Sequence, residues 1–524
     1  MSARVHAAPI PATSTTGFHS ILFAAPNGAT EDDTTPAFLA DLNLDQVFAA
    51  TVAGRDSYNL MPFLCRPLTD IDAIAYRHEV FKDLELGPPR QAVEAFARGM
   101  GTMREHLARA DSLRHEYQRA SWFLAAVEVY GQAVASLAAQ LSTLDLRSRG
   151  FRGLRDYLAA YVRSGAFRGP ATEASELKEQ LAEVRYSIRI DGRRVRVDRY
   201  GGEPDYSAEV GEVFRRFERG ASKDYLVTFR DFTDMNHVEA SILDFVAQLH
   251  PEVFPKLRAY HEGRRGYLDP VIQRFDREIQ FYLAWLDSMA PLSAAGLPFC
   301  YPDVARRSKE VTATDTYDIA LASKLVAMQK PVVCNDLFLE KDERIFVVTG
   351  PNQGGKTTFA RTFGQLHYLC RLGCPVPGGK ARLFLCDQVF THFEKEERVA
   401  DLRSKLEDEL IRVKDILDHA TGENVVIMNE SLAATTVDDA RFLGREVLRK
   451  LLDRGLLAVY VTFIDELTTV GPGIVSMVST VVPDDPARRT FKVVRQPADG
   501  RAYARAIAEK YGLTFETLKR RIGG

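Results

Sequence analysis

Cysteine is scarce in this chain: six residues, Cys65, Cys300, Cys334, Cys370, Cys374 and Cys386, in 524. So thin a spread excludes a disulfide framework and leaves reduced thiols. Cys370 and Cys374 are four apart, a spacing that could set two thiolates on one helix face. No second Cys/His pair lies near, however, and Gly373 and Pro375 break the helix, so both read as small buried residues and not as metal ligands. Nor is there a run of about 18 apolar residues, so no membrane-spanning helix is expected. The opening Met1 to Pro9 lacks the apolar core of a secretory signal, and the chain reads as cytosolic. Excess charge of one sign is also missing. A net charge of -3 gives no global attraction to nucleic acid, and any such binding must use a local basic patch.

What is present is the composition of a folded chain, 46% hydrophobic and 27% charged, long enough for about two to four domains. Residues 1–36 are rich in Ala, Thr, Pro and Gly without a sustained period, and a loosely attached leader is expected there. From Leu60 to Leu84, Ile74, Arg77, Val80, Phe81 and Leu84 follow a helix start at Thr69 or Asp70. Helical patterning then runs from Pro88 to about Gly169, with breaks near Asp111 and Arg147. It returns from Asn236 to Asp287.

Between those helical stretches the period changes. Arg185 to Ile190, Asp191-Gly192 and Arg193 to Val197 alternate on both sides of an Asp-Gly turn, a strong hairpin signal. Tyr186, Ile188, Ile190, Val195 and Val197 share one face, and Arg185, Arg189, Arg194 and Arg196 the other. The arginine face is either a phosphate-contacting ribbon for DNA or the solvated side of an edge hairpin.

The stretch with the most chemistry is Thr349-Gly350-Pro351-Asn352-Gln353-Gly354-Gly355-Lys356-Thr357-Thr358. It follows the apolar run Ile345 to Val348 and precedes a helical pattern, and Gly350 to Thr357 fits G-x-x-x-x-G-K-[ST]. Glycines let successive backbone N–H groups curl around phosphate, and the following helix adds its positive dipole end. In such a loop Lys356 reaches the β- and γ-phosphates of ATP and the Thr357 hydroxyl ligates Mg²⁺. Downstream, apolar strands at Leu383–Cys386, Asn424–Met428 and Leu456–Thr462 alternate with helices, which together with strands at Pro331–Leu337 and Ile345–Val348 specifies an α/β domain with parallel strands. The strand Val425 to Met428 ends at Asn429-Glu430. There Glu430 is placed to orient an attacking water, while Asn429 stands where an aspartate normally assists Mg²⁺.

These residues carry a specific resemblance. Thr349 to Thr358 looks like the T-G-P-N-x-G-G-K-[ST]-T loop of the MutS family of DNA mismatch-repair ATPases. Gly373 to Pro377, Asp387 to Phe393, Ser404 to Leu410, Thr462 to Leu467 and Gly500 to Ala508 resemble that family's downstream motifs, and Leu64 to Asp70 with Arg77 its core-domain motif. The resemblance implies a multidomain fold: a loose leader (1–36), a mainly α-helical core and lever region with a small β-hairpin insert (37–325), and an ABC-like α/β P-loop NTPase domain with a C-terminal helical segment (326–524). It further implies a homodimer acting on DNA with no membrane involvement. Gly350, Pro351, Asn352, Gln353, Gly354, Gly355, Lys356, Thr357 and Thr358 would bind nucleotide, Thr357 and Asn429 would serve Mg²⁺, Lys356 and Glu430 would be catalytic, and Ser404 would complete the partner's site.

Three departures qualify the expectation. Asn429 replaces an aspartate, and Phe463 replaces the histidine expected at the γ-phosphate. The mismatch-reading domain is not recognised, since Gly17-Phe18-His19-Ser20 lacks the family's wedge glutamate. The reading is therefore an ATP-binding and ATP-hydrolysing protein of DNA repair or recombination that acts on distorted or branched DNA and is not a direct reader of base mismatches. The alternative is a nucleotide-gated dimeric clamp with little or no hydrolysis.

Overall fold

The computed structural model describes residues 18–25, 35–202, 235–394, 405–432, 435–483 and 485–498. The chain forms two compact units, one of Met1–Phe18, Asp83–Arg147 and Phe151–Asp276, the other of His19–Lys82, Ser148–Gly150 and Arg277–Gly524.

The first unit is mainly helical. Its helices include α1 (Pro88–Ser112), α2 (Glu116–Thr143) and α3 (Gly165–Ala182), then the strands β1 (Tyr186–Asp191) and β2 (Arg194–Arg199), then α4 (His237–Leu249) and α5 (Phe254–Gly263). Phe123, Leu124 and Val127 of α2 bury themselves with Leu177 of α3 and Leu257 and Tyr260 of α5. Among the described residues, α2 is the one helix long and apolar enough to cross a membrane by length and composition. Glu128 interrupts the apolar run in the sequence; here it pairs with Lys178 at 2.7 Å while the apolar residues pack inside the protein.

In the second unit, α6 (Ile319–Ala327), α7 (Lys356–Arg371), α8 (Lys405–His419) and α9 (Val437–Asp453) accompany twelve short strands among the described residues. The main sheet has the order β10-β11-β12-β7-β13-β14, formed by β7 (Ile345–Thr349), β10 (Gln388–His392), β11 (Asn424–Asn429), β12 (Leu457–Val461), β13 (Ile474–Val482) and β14 (Asp485–Arg495). All neighbours are parallel except β14, which returns antiparallel along β13. A second, mixed sheet not expected from the sequence runs β4-β9-β5-β6, from β4 (Asp303–Ala305), β9 (Lys380–Phe384), β5 (Val311–Thr316) and β6 (Asn335–Leu339), with the short pair β3 (Phe299–Cys300) and β8 (Val376–Pro377) beside it. β6 thus begins four residues later than the apolar run from Pro331 suggested; a proline at the head of that run has no N–H for a ladder. β9 starts three residues earlier than expected because Lys380 and Arg382 pair with β5.

The central β7 delivers the glycine loop to α7, which is buried on nearly all sides. Gly364 explains how such a helix fits: a Cβ there would lie 2.3 Å from Ile427 of β11 and 2.7 Å from Leu42. Polar side chains on α7 then tie it to its surroundings. Gln365 donates to Leu42 O and to the Asp318 carboxylate, both at 2.9 Å, and accepts from Ile319 N–H, so it locks the start of α6. Arg361 donates to Asp41 O, and Tyr368 to Leu64 O. At the far end the fully buried Arg77 donates to Leu372 O at 2.7 Å, favoured by the negative end of the helix dipole. Its guanidinium also donates to Leu22 O and lies between the rings of Phe23 and Phe281.

Part of the expected loose leader is therefore anchored. Ile21 and Leu22 are fully buried, and Ser20 O–H and Ile21 N–H both donate to the Glu278 carboxylate. Leu22 has no polar periodicity to advertise this, and the tie depends on partners hundreds of residues away. The expected C-terminal helical segment lies outside the described residues.

His367 on α7 is wholly buried, donates from Nδ1 to Phe363 O, and burial pushes its pKa down to about 4. The unfolded chain then takes up the proton first as pH falls below 6.5, so stability drops between pH 6.5 and about 4, by up to about 3 kcal/mol from this residue. His367→Phe is expected to flatten this acid limb in denaturant titrations at pH 7, 6, 5 and 4.

Candidate nucleotide site

The site lies at the carboxyl ends of the parallel strands, where α/β sheets bind ligands. β7 ends at Thr349. Gly350 (φ 112°), Gln353 (φ 59°) and Gly355 (φ 98°) then turn the chain into α7, whose first residue is Lys356. Two of the glycines are required by close packing. A Cβ at Gly350 would stand 2.7 Å from Ser479 O, and one at Gly354 would stand 2.1 Å from Ser479 Oγ, which donates to Gly354 O at 2.7 Å. The loop leads into the N-terminus of α7, the end at which a helix's unpaired N–H groups and dipole favour an anion.

Lys356 is buried, and its ammonium donates to Gly350 O (3.1 Å), Pro351 O (3.3 Å) and Asn352 Oδ1 (3.1 Å), with Glu430 Oε1 at 3.9 Å. Burial lowers its pKa, Glu430 opposes that shift, and Arg489 adds to it. Thr357 donates to Asn429 Oδ1 at 2.8 Å, joining the head of α7 to the end of β11. Glu430 follows directly, its N–H on Val461 O of β12. Glu430 (φ 50°) and Leu432 (φ 64°) are both non-glycine residues in the left-handed region, at about 1–3 kcal/mol each. The structure thus brings Lys356, Thr357, Asn429 and Glu430 together. Thr358 sits in the first turn of α7, and Pro351, Asn352, Gln353 and Gly355 complete the loop. Ser404 lies outside the described residues. Phe463 follows β12 as a half-exposed ring and supplies no polar atom. Asp387, an acid that could have offset the neutral Asn429, precedes β10 at the opposite end of the sheet and lies 3.6 Å from Arg306.

Sequence reasoning missed the β13–β14 hairpin. Besides Ser479, it contributes Arg489, which donates to Asn352 O at 3.2 Å, and Phe491 (φ 60°), whose carbonyl accepts from Asn335. None of these residues belongs to a motif, and the Ser479 to Gly354 bond spans 125 positions. The one available cue was a small residue in a valine-rich strand.

The other candidate surface is the β1–β2 hairpin. Ile188 pairs with Val197, Ile190 with Val195, and Arg189 with Arg196, the alternation expected around Asp191-Gly192. Arg185, Arg189, Arg194 and Arg196 are exposed; Asp191 and Asp198 share their face, and Arg196 pairs with Asp198 at 3.0 Å. Arg189 and Arg196 stand directly opposite one another across the ladder, and Asp198 offsets part of their charge.

Residues 346–518 match the family model described as MutS domain V. A DNA mismatch repair protein MutS of Chlorobium phaeovibrioides is 25% identical over 519 residues, covering 91% of this chain and 58% of the relative. The endonuclease MutS2 of Thermus thermophilus is 30% identical over 190 residues, 36% of this chain and 25% of its own. A DNA mismatch repair protein MutS of Thermotoga maritima is 26% identical over 249 residues, 46% of this chain and 30% of its own. The chain spans under two thirds of each of these relatives.

Gly354→Ala is expected to distort the loop against Ser479 and lower ATP affinity at least about tenfold, measured by equilibrium titration with a fluorescent ATP analogue. Ser479→Ala, which removes one hydrogen bond to the loop, is expected to cost only about fivefold.

Proposed function

We propose that this chain, a member of the MutS family, binds and hydrolyses ATP at the loop 350–358 and couples that cycle to DNA in repair or recombination. It acts as a homodimer in which Ser404 reaches the partner's nucleotide. The observation that carries the nucleotide reading is the convergence of Lys356, Thr357, Asn429 and Glu430 at the carboxyl ends of β7 and β11. Loop N–H groups hold the phosphates, and Lys356 exchanges its loop carbonyls for phosphate oxygens. Glu430, already within 3.9 Å of Lys356, accepts a proton from and orients the attacking water.

The donor set suits Mg²⁺, a hard cation that takes oxygen ligands: the Thr357 hydroxyl and the Asn429 amide oxygen lie 2.8 Å apart. Bound there, the ion would neutralise charge on the phosphate oxygens. Both protein donors are neutral, so the ion would depend on other ligands for charge, and the missing carboxylate is expected to cost about 10–100-fold in metal affinity or activity.

For DNA, the hairpin is the proposed contact, reading backbone and shape on distorted or branched duplexes in place of bases. Supporting it are the exposed opposed arginines and the function carried in the relatives' names. A second reading keeps ATP binding but not turnover. Asn429 and Phe463 favour such a nucleotide-gated clamp.

Steady-state hydrolysis with and without branched DNA decides between them. ATPase action predicts DNA-stimulated turnover that Glu430→Gln lowers about 100-fold or more and Lys356→Ala abolishes together with ATP binding. Turnover no higher than that of Glu430→Gln, with ATP still bound, establishes the clamp. Replacing Arg189, Arg194 and Arg196 with Ala is expected to weaken DNA binding and lower the salt slope by about one per lost phosphate contact; an unchanged slope removes the hairpin from the interface.

A further inference from the structure

Glu430 is held by one backbone hydrogen bond to β12, yet it sits in a turn with two left-handed residues that a free chain would relax. Something must hold the other flank. His392, the last residue of β10, is buried beside Met428 of β11. Its Nδ1 shares a 2.7 Å hydrogen bond with Oγ of Ser431, the residue between the two left-handed positions. Val461 O on one neighbouring strand and His392 on the other thus grip consecutive residues of the turn, Glu430 by its N–H and Ser431 by its side chain.

We infer that His392 and Ser431 are a positioning pair for hydrolysis: their bond keeps the strained turn in place and so holds the Glu430 carboxylate toward Lys356. The inference rests on the ATPase reading above. The geometry is one-sided in a useful way. The pair touches neither the glycine loop nor Thr357, so its loss leaves phosphate binding intact and misplaces only the group that orients water. A misplacement of about 1 Å is enough to cost one to two orders of magnitude in the chemical step.

The experiment compares the parent with Ser431→Ala, Ser431→Thr and Glu430→Gln, and with the double variant Ser431→Ala/Glu430→Gln. Each is measured for kcat, for KM and for affinity to a fluorescent ATP analogue, with thermal melting as a check on folding. Ser431→Ala is expected to lower kcat about tenfold with nucleotide affinity within about twofold, and Ser431→Thr, which keeps a hydroxyl, to restore most of it. In the Glu430→Gln background Ser431→Ala should cost nothing further, because the group it positions is already gone. If Ser431→Ala does not fold, His392→Phe, which keeps a buried ring and removes the bond, is measured in its place with the same expectation. A kcat within twofold of the parent, or an equal loss with and without Glu430, overturns the positioning role. A parent that binds ATP but does not turn it over overturns the ATPase reading and this inference with it, whereas a parent that turns over with an indifferent Ser431 overturns the inference alone.

Discussion

Everything at the glycine-loop end of this protein depends on burying α7. Thirteen of its sixteen residues are buried, Lys356 among them, so the helix that follows the loop has no solvent face on which to shift. Hydrophobic packing alone would leave its position along the axis poorly defined. Directional bonds fix it: Arg361 and Gln365 donate to the adjacent carbonyls of Asp41 and Leu42, Tyr368 donates to that of Leu64, and the carbonyl of Leu372 accepts from the Arg77 guanidinium. A buried amide that satisfies all its partners is costly to disturb, because any displacement strands several polar groups at once.

Around that fixed helix the site is electrically unusual. A buried ammonium lies close to one carboxylate, and the residue that bridges Thr357 to the sheet is neutral. In a low-dielectric site each charge counts for more than it would in water. With Asn429 in place, Glu430 lies 3.9 Å from Lys356 as its counter-charge, and under the proposed ATPase reading it serves also as the group that faces water. The first role draws the carboxylate inward and the second needs it free, so the backbone that carries it cannot be loose.

The sequence announced the parts of this site that lie close together in the chain. The glycine loop between an apolar strand and a helix was legible because its residues are consecutive and each has a physical reason. Glu430 was legible because it ends an apolar strand at the right remove, and the hairpin because alternation and Asp191-Gly192 both point to it. Illegible were the contacts that join distant stretches. Ser479 against Gly354, Asn335 under Phe491, and Ser20 on Glu278 all involve ordinary polar residues whose meaning exists only after folding. A four-stranded second sheet built from segments of three to six residues likewise gives too little periodicity to read.

Arg77 shows how far such a contact reaches. One guanidinium, with no exposed surface, holds the carbonyl of Leu22 on one side and the end of α7 on the other. Ser20, Ile21 and Leu22 are thus part of the interior of the unit that carries the glycine loop, and their loss would leave a positive charge sealed in an apolar pocket without one of its carbonyl partners. Buried side chains therefore precede the first described helix, and a segment that the sequence presents only as a tail carries a core strut.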